Sequence, residues 1–197
     1  MRNRRNLWII VLVVIVGLLV ISGVGGYNGM VTKSETVDEQ WSNVENSYQR
    51  RADLIPNLVN TVKGYADFES KTLTAVIEAR AKATSVQIDP KNMTAENMKQ
   101  YQEAQAGLTS TLSRLMVVVE QYPNLKANQN FLDLQAQLEG TENRIATERR
   151  KFNELARVYN VFIKRFPKNI WAGLFSFDKK PYFEATEGAE KAPEVKF

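Results

Sequence analysis

An uncharged, largely apolar run occupies positions 7–27 and is the longest hydrophobic segment of the chain. It follows a short arm, residues 1–6, that carries Arg2, Arg4 and Arg5. As a helix rising about 1.5 Å per residue, this run spans about 31 Å, which matches the hydrocarbon core of a bilayer. The pattern therefore predicts a single transmembrane helix over residues 7–27 behind a basic arm.

The charges on either side of the apolar run predict its orientation. Within about twenty positions after the run, Lys33 is the one basic residue, whereas Glu35, Asp38 and Glu39 are acidic. Positive residues tend to stay on the cytoplasmic side of a membrane, and the arginines lie before the run. We therefore predict a cytoplasmic N-terminus and an extracytoplasmic domain.

The outer end of the run is rich in small residues, namely Ser22, Gly23, Gly25, Gly26 and Gly29. With the basic start, they would also suit a cleaved signal peptide, which is the alternative to a permanent anchor. The apolar stretch is longer than an ordinary signal core and no Ala-x-Ala site follows it, so the anchor is preferred. The glycines either loosen the helix, letting the domain swivel, or are small residues merely tolerated there.

Beyond residue 27, apolar residues recur every three or four positions, which is the pattern of helices that bury one face. The first helix carries this stripe from Val37 through Trp41 to Tyr48. Pro56 then interrupts it, because proline lacks a backbone donor and its ring crowds the preceding turn. Asp53 is placed to cap a new helix. We predict a reversal or a sharp kink at this point.

Three more helices follow. The second runs to about residue 84, and a loop over residues 85–94 separates it from the third. Thr94 is placed to cap the third helix, which the pair Tyr122-Pro123 ends. The fourth, residues 128–164, alternates apolar spacings of three and four with charged residues between, as in coiled-coil-like packing, and Pro167 ends it. Three apolar residues of the second helix should face inward: Leu73, Val76 and Ile77.

These segments predict an all-α protein, because no window shows the period-two alternation of a strand. The predicted architecture is an N-terminal single transmembrane helix followed by an antiparallel up-down four-helix bundle over residues 28–184. A three-helix variant results if Pro56 only bends the chain. Residues 185–197, rich in Glu, Lys, Ala and Pro, are predicted to be a flexible tail.

Composition narrows the chemistry further. The chain has no cysteine and no histidine, which removes disulfides, thiolate nucleophiles, ordinary zinc sites and the commonest base for a serine nucleophile. Three of the 26 basic residues lie in the arm, which leaves 23 against 22 acidic residues and no strong field for nucleic acid. Neither a GxGxxG fingerprint nor a phosphate-binding loop occurs. We expect no enzymatic activity, cofactor, metal, nucleic acid or small-molecule substrate.

Two blocks of the sequence carry a family resemblance. Residues 50–59 (RRADLIPNLV) and 62–66 (VKGYA) form the first block, and residues 120–127 (EQYPNLKA) and 142–146 (ENRIA) belong to the second. With the apolar run, they resemble the LemA family of bacterial membrane proteins over nearly the whole chain. The resemblance implies a single-pass protein of the inner membrane with an antiparallel helical bundle and no established activity, and it supplies no catalytic residues. Position 52, often histidine in the family, is alanine here.

Polar residues inside these blocks are the candidates for a role beyond packing. They lie near Pro56 and on the fourth helix, so opposite charges on neighbouring helices predict an inter-helix polar network. The network either lines a pocket for a ligand or partner, or fixes the register of the helices. A functional pocket predicts that alanine at Arg51 or Glu142 leaves thermal unfolding nearly unchanged. The candidates are Arg50, Arg51, Asp53, Asn57, Glu142, Asn143, Arg149 and Arg150.

The C-terminal segment concentrates aromatic residues among lysines, a combination typical of membrane interfaces. If four helices alternate in direction, the fourth returns this segment to the bilayer. Alternatively, the aromatic residues fold back and cap the open end of the bundle. The possible interface contacts are Trp171, Phe175, Phe177, Tyr182 and Phe183, interleaved with Lys168, Lys179 and Lys180.

Two functions from different classes fit these observations. In the first, the protein is a membrane-anchored scaffold of the cell envelope that binds another protein or itself through its helical bundle. In the second, it acts on the membrane surface through its C-terminal aromatic segment and recruits or organises lipid. The neutral bundle offers side-chain grooves and no reaction centre, which favours the scaffold.

Overall fold

The computed structural model describes residues 2–64 and 70–184 of the chain. These residues form six α-helices and one 3₁₀-helix, and none of them is in a strand, as the periodicity predicts. The predicted tail, residues 185–197, lies outside the described residues. The helices are α1 (Arg2–Lys63), α2 (Ser70–Ser85), α3 (Ala95–Val119), α4 (Pro123–Lys126), α5 (Gln129–Lys164) and α6 (Lys168–Leu174), and the 3₁₀-helix is Pro90–Asn92.

Helix α1 contains the apolar run and continues far beyond it without a break. Within the described ranges it is the one helix that is long and apolar enough to cross a membrane, judged by length and composition. Its apolar side chains from Trp8 to Ile21 are exposed, whereas burial against the rest of the protein begins at Gly23. The candidate span and the first packed helix are therefore one element.

The predicted reversal or sharp kink at Pro56 is wrong, because α1 runs through this residue to Lys63. Asp53 is likewise an interior helical residue and accepts a hydrogen bond from Gln49 Nε2 (2.7 Å), so it does not cap a new helix. Proline at position 56 leaves the carbonyl four residues earlier without its helical donor. Arg80 of α2 supplies the missing donor, with Nε 2.8 Å from the Ala52 oxygen. A side chain of the neighbouring helix thus repairs the helix that Pro56 would otherwise interrupt.

This repair predicts a coupling between Arg80 and Pro56. Arg80→Ala should lower the free energy of unfolding by about 1–3 kcal/mol, because it leaves a partly buried carbonyl unsatisfied. In a Pro56→Ala background the loss should be smaller, since alanine at that position gives the Ala52 carbonyl a backbone N–H donor again. Denaturant unfolding of the wild type, the two single variants and the double variant measures this coupling. Lys82→Ala, an exposed change on the same helix, is the control, and equal losses in both backgrounds would contradict the repair.

Most predicted helix ends agree with the structure. Thr94 caps α3 in a capping box, in which its hydroxyl accepts from Asn97 N (3.2 Å) and Asn97 Oδ1 accepts from Thr94 N (2.9 Å). Asn128 caps α5 through Phe131 N (3.1 Å). In α2, Leu73 and Val76 are buried as predicted, but Ile77 is exposed.

The helices pack in two pairs, α1 with α5 and α2 with α3. One apolar cluster is centred on Trp41, whose ring stacks on Phe183 and contacts Tyr101 and Phe152 edge-on. A second cluster lies near the far end of α1, where Leu58 packs with side chains of α2, α3 and the start of α5. Between these clusters, α1 carries Arg50, Arg51 and Asp53, three of the predicted polar candidates.

Three of the glycines in α1 leave room for aromatic side chains to pack against the helix. A Cβ at Gly23 or Gly26 would lie 3.4 or 3.5 Å from the ring of Trp171, which is ordinary contact distance. At Gly29 a Cβ would lie 2.6 Å from Phe162 Cζ, so the absence of a side chain lets this ring approach. These glycines are packing positions within an unbroken helix, whereas a Cβ at Gly25 would meet nothing within 4 Å.

Candidate functional site

Arg51 lies at the centre of a polar network that joins three helices. Its side chain is only 2% exposed, and Nη1 donates to Glu142 Oε2 of α5 (2.7 Å) and to Thr109 Oγ1 of α3 (2.8 Å). Its other terminal nitrogen, Nη2, donates to Gln105 Oε1 (2.8 Å), also on α3. The planar guanidinium suits this role, because it presents several donors in fixed directions.

Gln105 and Thr109 extend the network, although neither is among the eight polar residues predicted from the sequence. Gln105 Nε2 donates to the carbonyl of Ala83, which connects the network to α2, and Thr109 Oγ1 lies 3.3 Å from Glu142 Oε1. A signal was available, since Gln105 falls on the same helical face as the buried residues Tyr101 and Leu108. A polar residue on an apolar stripe needs a buried partner.

The network forms one wall of a surface cleft between α3 and α5, which has a volume of about 580 Å³. Arg149 lies on the same cleft, donates to the carbonyl of Glu184 (2.9 Å) and places its guanidinium over the Phe183 ring. The lining mixes cations, carboxylates and amides with a few apolar groups. Its residues include Tyr48, Arg51, Lys99, Gln102, Glu103, Gln105, Ala106, Thr109, Ser110, Glu142, Ile145, Arg149 and Glu184.

Of the eight polar candidates, Arg51, Glu142 and Arg149 meet at this cleft. The other five are exposed and do not line it. Arg150 donates to Thr147 Oγ1 (3.2 Å) on its own helix, and Asn57 and Asn143 accept hydrogen bonds from nearby threonines through their backbone carbonyls. The conspicuous pairs Arg50-Arg51 and Arg149-Arg150 thus each contribute one residue to the cleft.

A C-terminal strap, residues 178–184, runs along α5 and is held by side-chain amides. Asn160 donates to the carbonyl of Lys180 and accepts from its N–H (2.8 and 2.9 Å). Asn153 makes the same reciprocal pair with Phe183 (2.9 and 2.8 Å). Each asparagine side chain therefore satisfies both the N–H and the C=O of one strap residue, as a neighbouring β-strand would.

Lys180 connects the strap to α1 and to the 3₁₀-helix. Its buried ammonium donates to Asp38 Oδ1 of α1 and to the carbonyl of Pro90, both at 2.7 Å. Burial raises the pKa of the Asp38 carboxyl above its usual value, and Lys180 opposes that rise. The pair thus connects α1, the 3₁₀-helix and the strap at one point.

The five aromatic candidates of the C-terminal segment have different environments. Phe183 is buried on Trp41, Phe177 is half-buried, and Trp171 is half-buried against Gly23 and Gly26. Phe175 and Tyr182 remain exposed. Of the two alternatives for this segment, Phe183 thus folds back onto the bundle, whereas Trp171 and Phe175 lie beside the outer end of the apolar run.

The tyrosines of the core keep their protons well above neutral pH. Burial raises the pKa of Tyr48, beside Arg51, and of Tyr101. Burial also raises the pKa of Tyr159 from 10.0 to about 12, and its hydroxyl donates to the carbonyl of Asp178 (2.9 Å). Tyr159 therefore acts as a neutral donor, and the ring of Tyr101 packs against those of Tyr48 and Trp41. The described residues contain no group of three or more acidic side chains placed to hold a metal ion.

The pKa of Tyr159 predicts a loss of stability in alkali. The folded state holds this proton more tightly than the unfolded chain, so the contribution of the phenol is complete below pH 10 and is lost as the pH rises through about 12. The free energy of unfolding of wild type should therefore approach that of Tyr159→Phe across this window. Denaturant unfolding at successive pH values checks it, and a constant gap between the two proteins would contradict the prediction.

These features define a class: a helical protein with one candidate membrane-spanning helix and a buried arginine network between its helices. The LemA family sequence model matches residues 40–197. The chain belongs to the LemA family, which confirms the resemblance carried by its two sequence blocks.

Named relatives agree with this assignment. The chain is 30% identical over 175 residues to magnetosome protein MamQ 2 of Paramagnetospirillum magneticum, an alignment that covers 80% of this chain and 64% of that protein. Magnetosome protein MamQ of Magnetospirillum gryphiswaldense is 29% identical with the same coverage. Protein LemA of Metamycoplasma hominis is 23% identical over 93% of this chain and 80% of its own length. The chain thus spans just under two thirds of the magnetosome relatives' length.

Proposed function

We propose that this protein is a single-pass, membrane-anchored interaction protein of the bacterial cell envelope that binds protein partners through its helical bundle and catalyses no reaction. The proposed bundle is an antiparallel up-down arrangement of α1 beyond residue 28 with α2, α3 and α5. The pairing of α1 with α5 and of α2 with α3 supports it, as does the Arg51 network across three of these helices.

The proposed location is the inner membrane, with residues 7–27 as the span, the N-terminus in the cytoplasm and the bundle outside. The exposed apolar surface of α1 from Trp8 to Ile21 supports the span. The three arginines of the arm support the orientation.

The observation that carries the interaction role is the cleft between α3 and α5. It is large enough to accept side chains of a partner, and it offers charged and apolar groups side by side. Arg149 is the proposed anchor, because arginine presents both a planar donor array and an apolar stem, whereas the buried Arg51 holds together the helices that form the cleft. Glu103 and Glu142 would select a partner of mixed charge over a purely acidic one.

Site-specific photocrosslinking in native membranes tests this role. A photoreactive residue replaces Ala106, which lines the cleft, or Ala75, an exposed alanine of α2 that serves as a matched control. We expect a discrete protein adduct at position 106, absent at position 75 and weakened by Arg149→Glu. A second copy with a different tag shows whether the partner is the protein itself. The same adduct pattern at both positions would overturn the proposal.

A second function, a lipid-organising role at the membrane surface through the C-terminal aromatic segment, rests on a different observation. Trp171 packs on Gly23 and Gly26, which places α6 beside the outer end of the proposed span. A photoreactive residue at Leu174 separates the two functions. Lipid adducts at position 174 without a protein adduct at position 106 favour the lipid role, and a protein adduct at position 106 favours the scaffold.

A further inference from the structure

We propose that the junction of α5 and α6 is a second membrane contact that binds a bilayer surface with anionic phospholipid headgroups. This inference rests on the proposed membrane anchor and adds the lipid class and the contacting residues. The contact, called the elbow here, has an apolar part that enters the edge of the hydrocarbon and a basic part that binds headgroup phosphates. The apolar part is Phe166, Ile170 and Leu174, and the basic part is Lys33, Arg157, Arg165 and Lys168.

The packing of α6 fixes its depth relative to the span. The Trp171 ring lies against Gly23 and Gly26, and Phe175 contacts Tyr27 edge-on with ring centroids 5.1 Å apart. These α1 residues form the last turns of the proposed span, so at a rise of about 1.5 Å per residue α6 lies within about 6 Å of its end. Helix α6 is therefore at the depth where hydrocarbon gives way to headgroups.

The apolar part of the elbow faces away from the protein. Ile170 and Leu174 are four residues apart on α6, so they share one face, and they are 57% and 66% exposed. Phe166, in the turn just before α6, is 81% exposed. The opposite face of α6 carries Ala172 and Trp171 toward α1. Single exposed apolar residues are common on soluble surfaces. Here three exposed apolar residues occur together, at the same depth as exposed apolar residues at the outer end of the proposed span, such as Val24. The apolar part of the elbow therefore extends the apolar surface of the span.

The basic part surrounds the Phe162 ring. Lys168 Nζ lies 3.9 Å and Lys33 Nζ 5.2 Å from the ring centroid. Lys33, Arg157 and Arg165 line a groove of about 210 Å³ whose other walls are Val158, Val161 and Phe162, with no acidic residue among them. In the described part of the chain, none of these four cations has a carboxylate within 4.0 Å.

Lys33 lies at a depth from which its long side chain can reach lipid phosphates. Lys33 is six residues beyond Tyr27 on the same helix, which places its Cα about 9 Å outside the proposed hydrocarbon boundary. Uncompensated cations next to an apolar face are the arrangement by which helices bind anionic bilayers. A partly apolar groove with three cations also suits a single lipid, whose phosphate would bind the cations and whose chain would follow Val158 and Val161.

Fluorescence of the full chain in vesicles tests the elbow. Because the protein has no cysteine, Leu174→Cys, Val117→Cys and Val14→Cys each give one labelling position. Position 117 is exposed on α3, and position 14 lies within the proposed span. In vesicles containing phosphatidylglycerol, a label at 174 should be quenched by nitroxide-bearing lipid. The neutral aqueous quencher acrylamide should act on it several-fold less than on a label at 117.

The three positions separate the possible failures. If the label at 14 is not quenched by lipid, the proposed anchor fails. If the label at 14 is quenched but 174 behaves like 117, the elbow is overturned and the anchor stands.

The headgroup requirement has its own comparison. In vesicles that mix phosphatidylglycerol and phosphatidylcholine, nitroxide-bearing phosphatidylglycerol should quench the label at 174 more than the same fraction of nitroxide-bearing phosphatidylcholine. The combined variant Arg157→Gln, Arg165→Gln and Lys168→Gln should remove this difference, while its thermal unfolding stays close to wild type. Equal quenching of the unaltered chain by the two nitroxide lipids would overturn the anionic preference.

Discussion

Arg51→Ala should lower the free energy of unfolding by about 3 kcal/mol, the largest effect we expect from a polar substitution in this protein. The change empties a buried position and leaves Gln105, Thr109 and Glu142 without their shared donor. Glu142 is 45% exposed and can regain water, which keeps the loss at the lower end for a broken buried pair. For a chain of this size, the melting temperature should fall by about 6–12 °C.

Arg50→Ala is the matched control, because it removes the same side chain from the neighbouring, exposed position. Its effect should stay within about 0.5 kcal/mol. Glu142→Gln should cost less than Arg51→Ala, since the amide oxygen still accepts from the guanidinium. Thermal unfolding followed by circular dichroism measures all three. If Arg51→Ala melts like Arg50→Ala, the network is not structural and Arg51 is free to serve as a ligand-binding residue.

Phe183→Ala should have a comparable effect for an apolar reason. Its ring is buried between Trp41, Phe152 and the Arg149 guanidinium, and removing such a ring costs about 3–5 kcal/mol. We expect lower thermal stability in detergent and loss of hydrogen-exchange protection at the amides of positions 180 and 183, which Asn160 and Asn153 of α5 bind in the wild type.

Phe166→Ala provides the comparison, because it removes the same ring from a position that is almost fully exposed. In detergent its melting temperature should stay close to that of wild type. If Phe183 instead served only to contact the membrane interface, both Phe183→Ala and Phe166→Ala would melt like wild type. That outcome would place the strap outside the stabilising core.

The sequence predicted those features that depend on local chemistry. Thr94 caps α3 because its side chain satisfies a free N–H group nearby, and the buried stripe through Trp41 follows from helical spacing alone. The predicted break at Pro56 failed because the compensating donor comes from Arg80, 24 positions later in the chain. Proline does remove a helical hydrogen bond here, as expected, but a tertiary contact offsets the loss.

The candidate site was accessible from sequence only in part. Opposite charges on two helices indicated a network, and Arg51 and Glu142 do lie 2.7 Å apart. Which arginine of each pair turns inward depends on helix rotation within the fold, which a pair of adjacent charges leaves open. The aromatic segment was more ambiguous still, because burial of Phe183 and exposure of Ile170 are decided by the strap and by α6, two short elements without a long periodic pattern.

The unbroken α1 has a mechanical consequence. Sixty-two residues in one helix form a shaft about 93 Å long, with one end in the proposed span and the other in the second apolar cluster. Trp171 packs against α1 at Gly23 and Gly26, and Phe162 packs against it at Gly29. These contacts support the helix at the positions where glycine makes bending easiest. If the apolar end of α1 tilts in a bilayer, the cleft would tilt with it, because Arg51 lies on the same unbroken helix and forms part of the cleft wall.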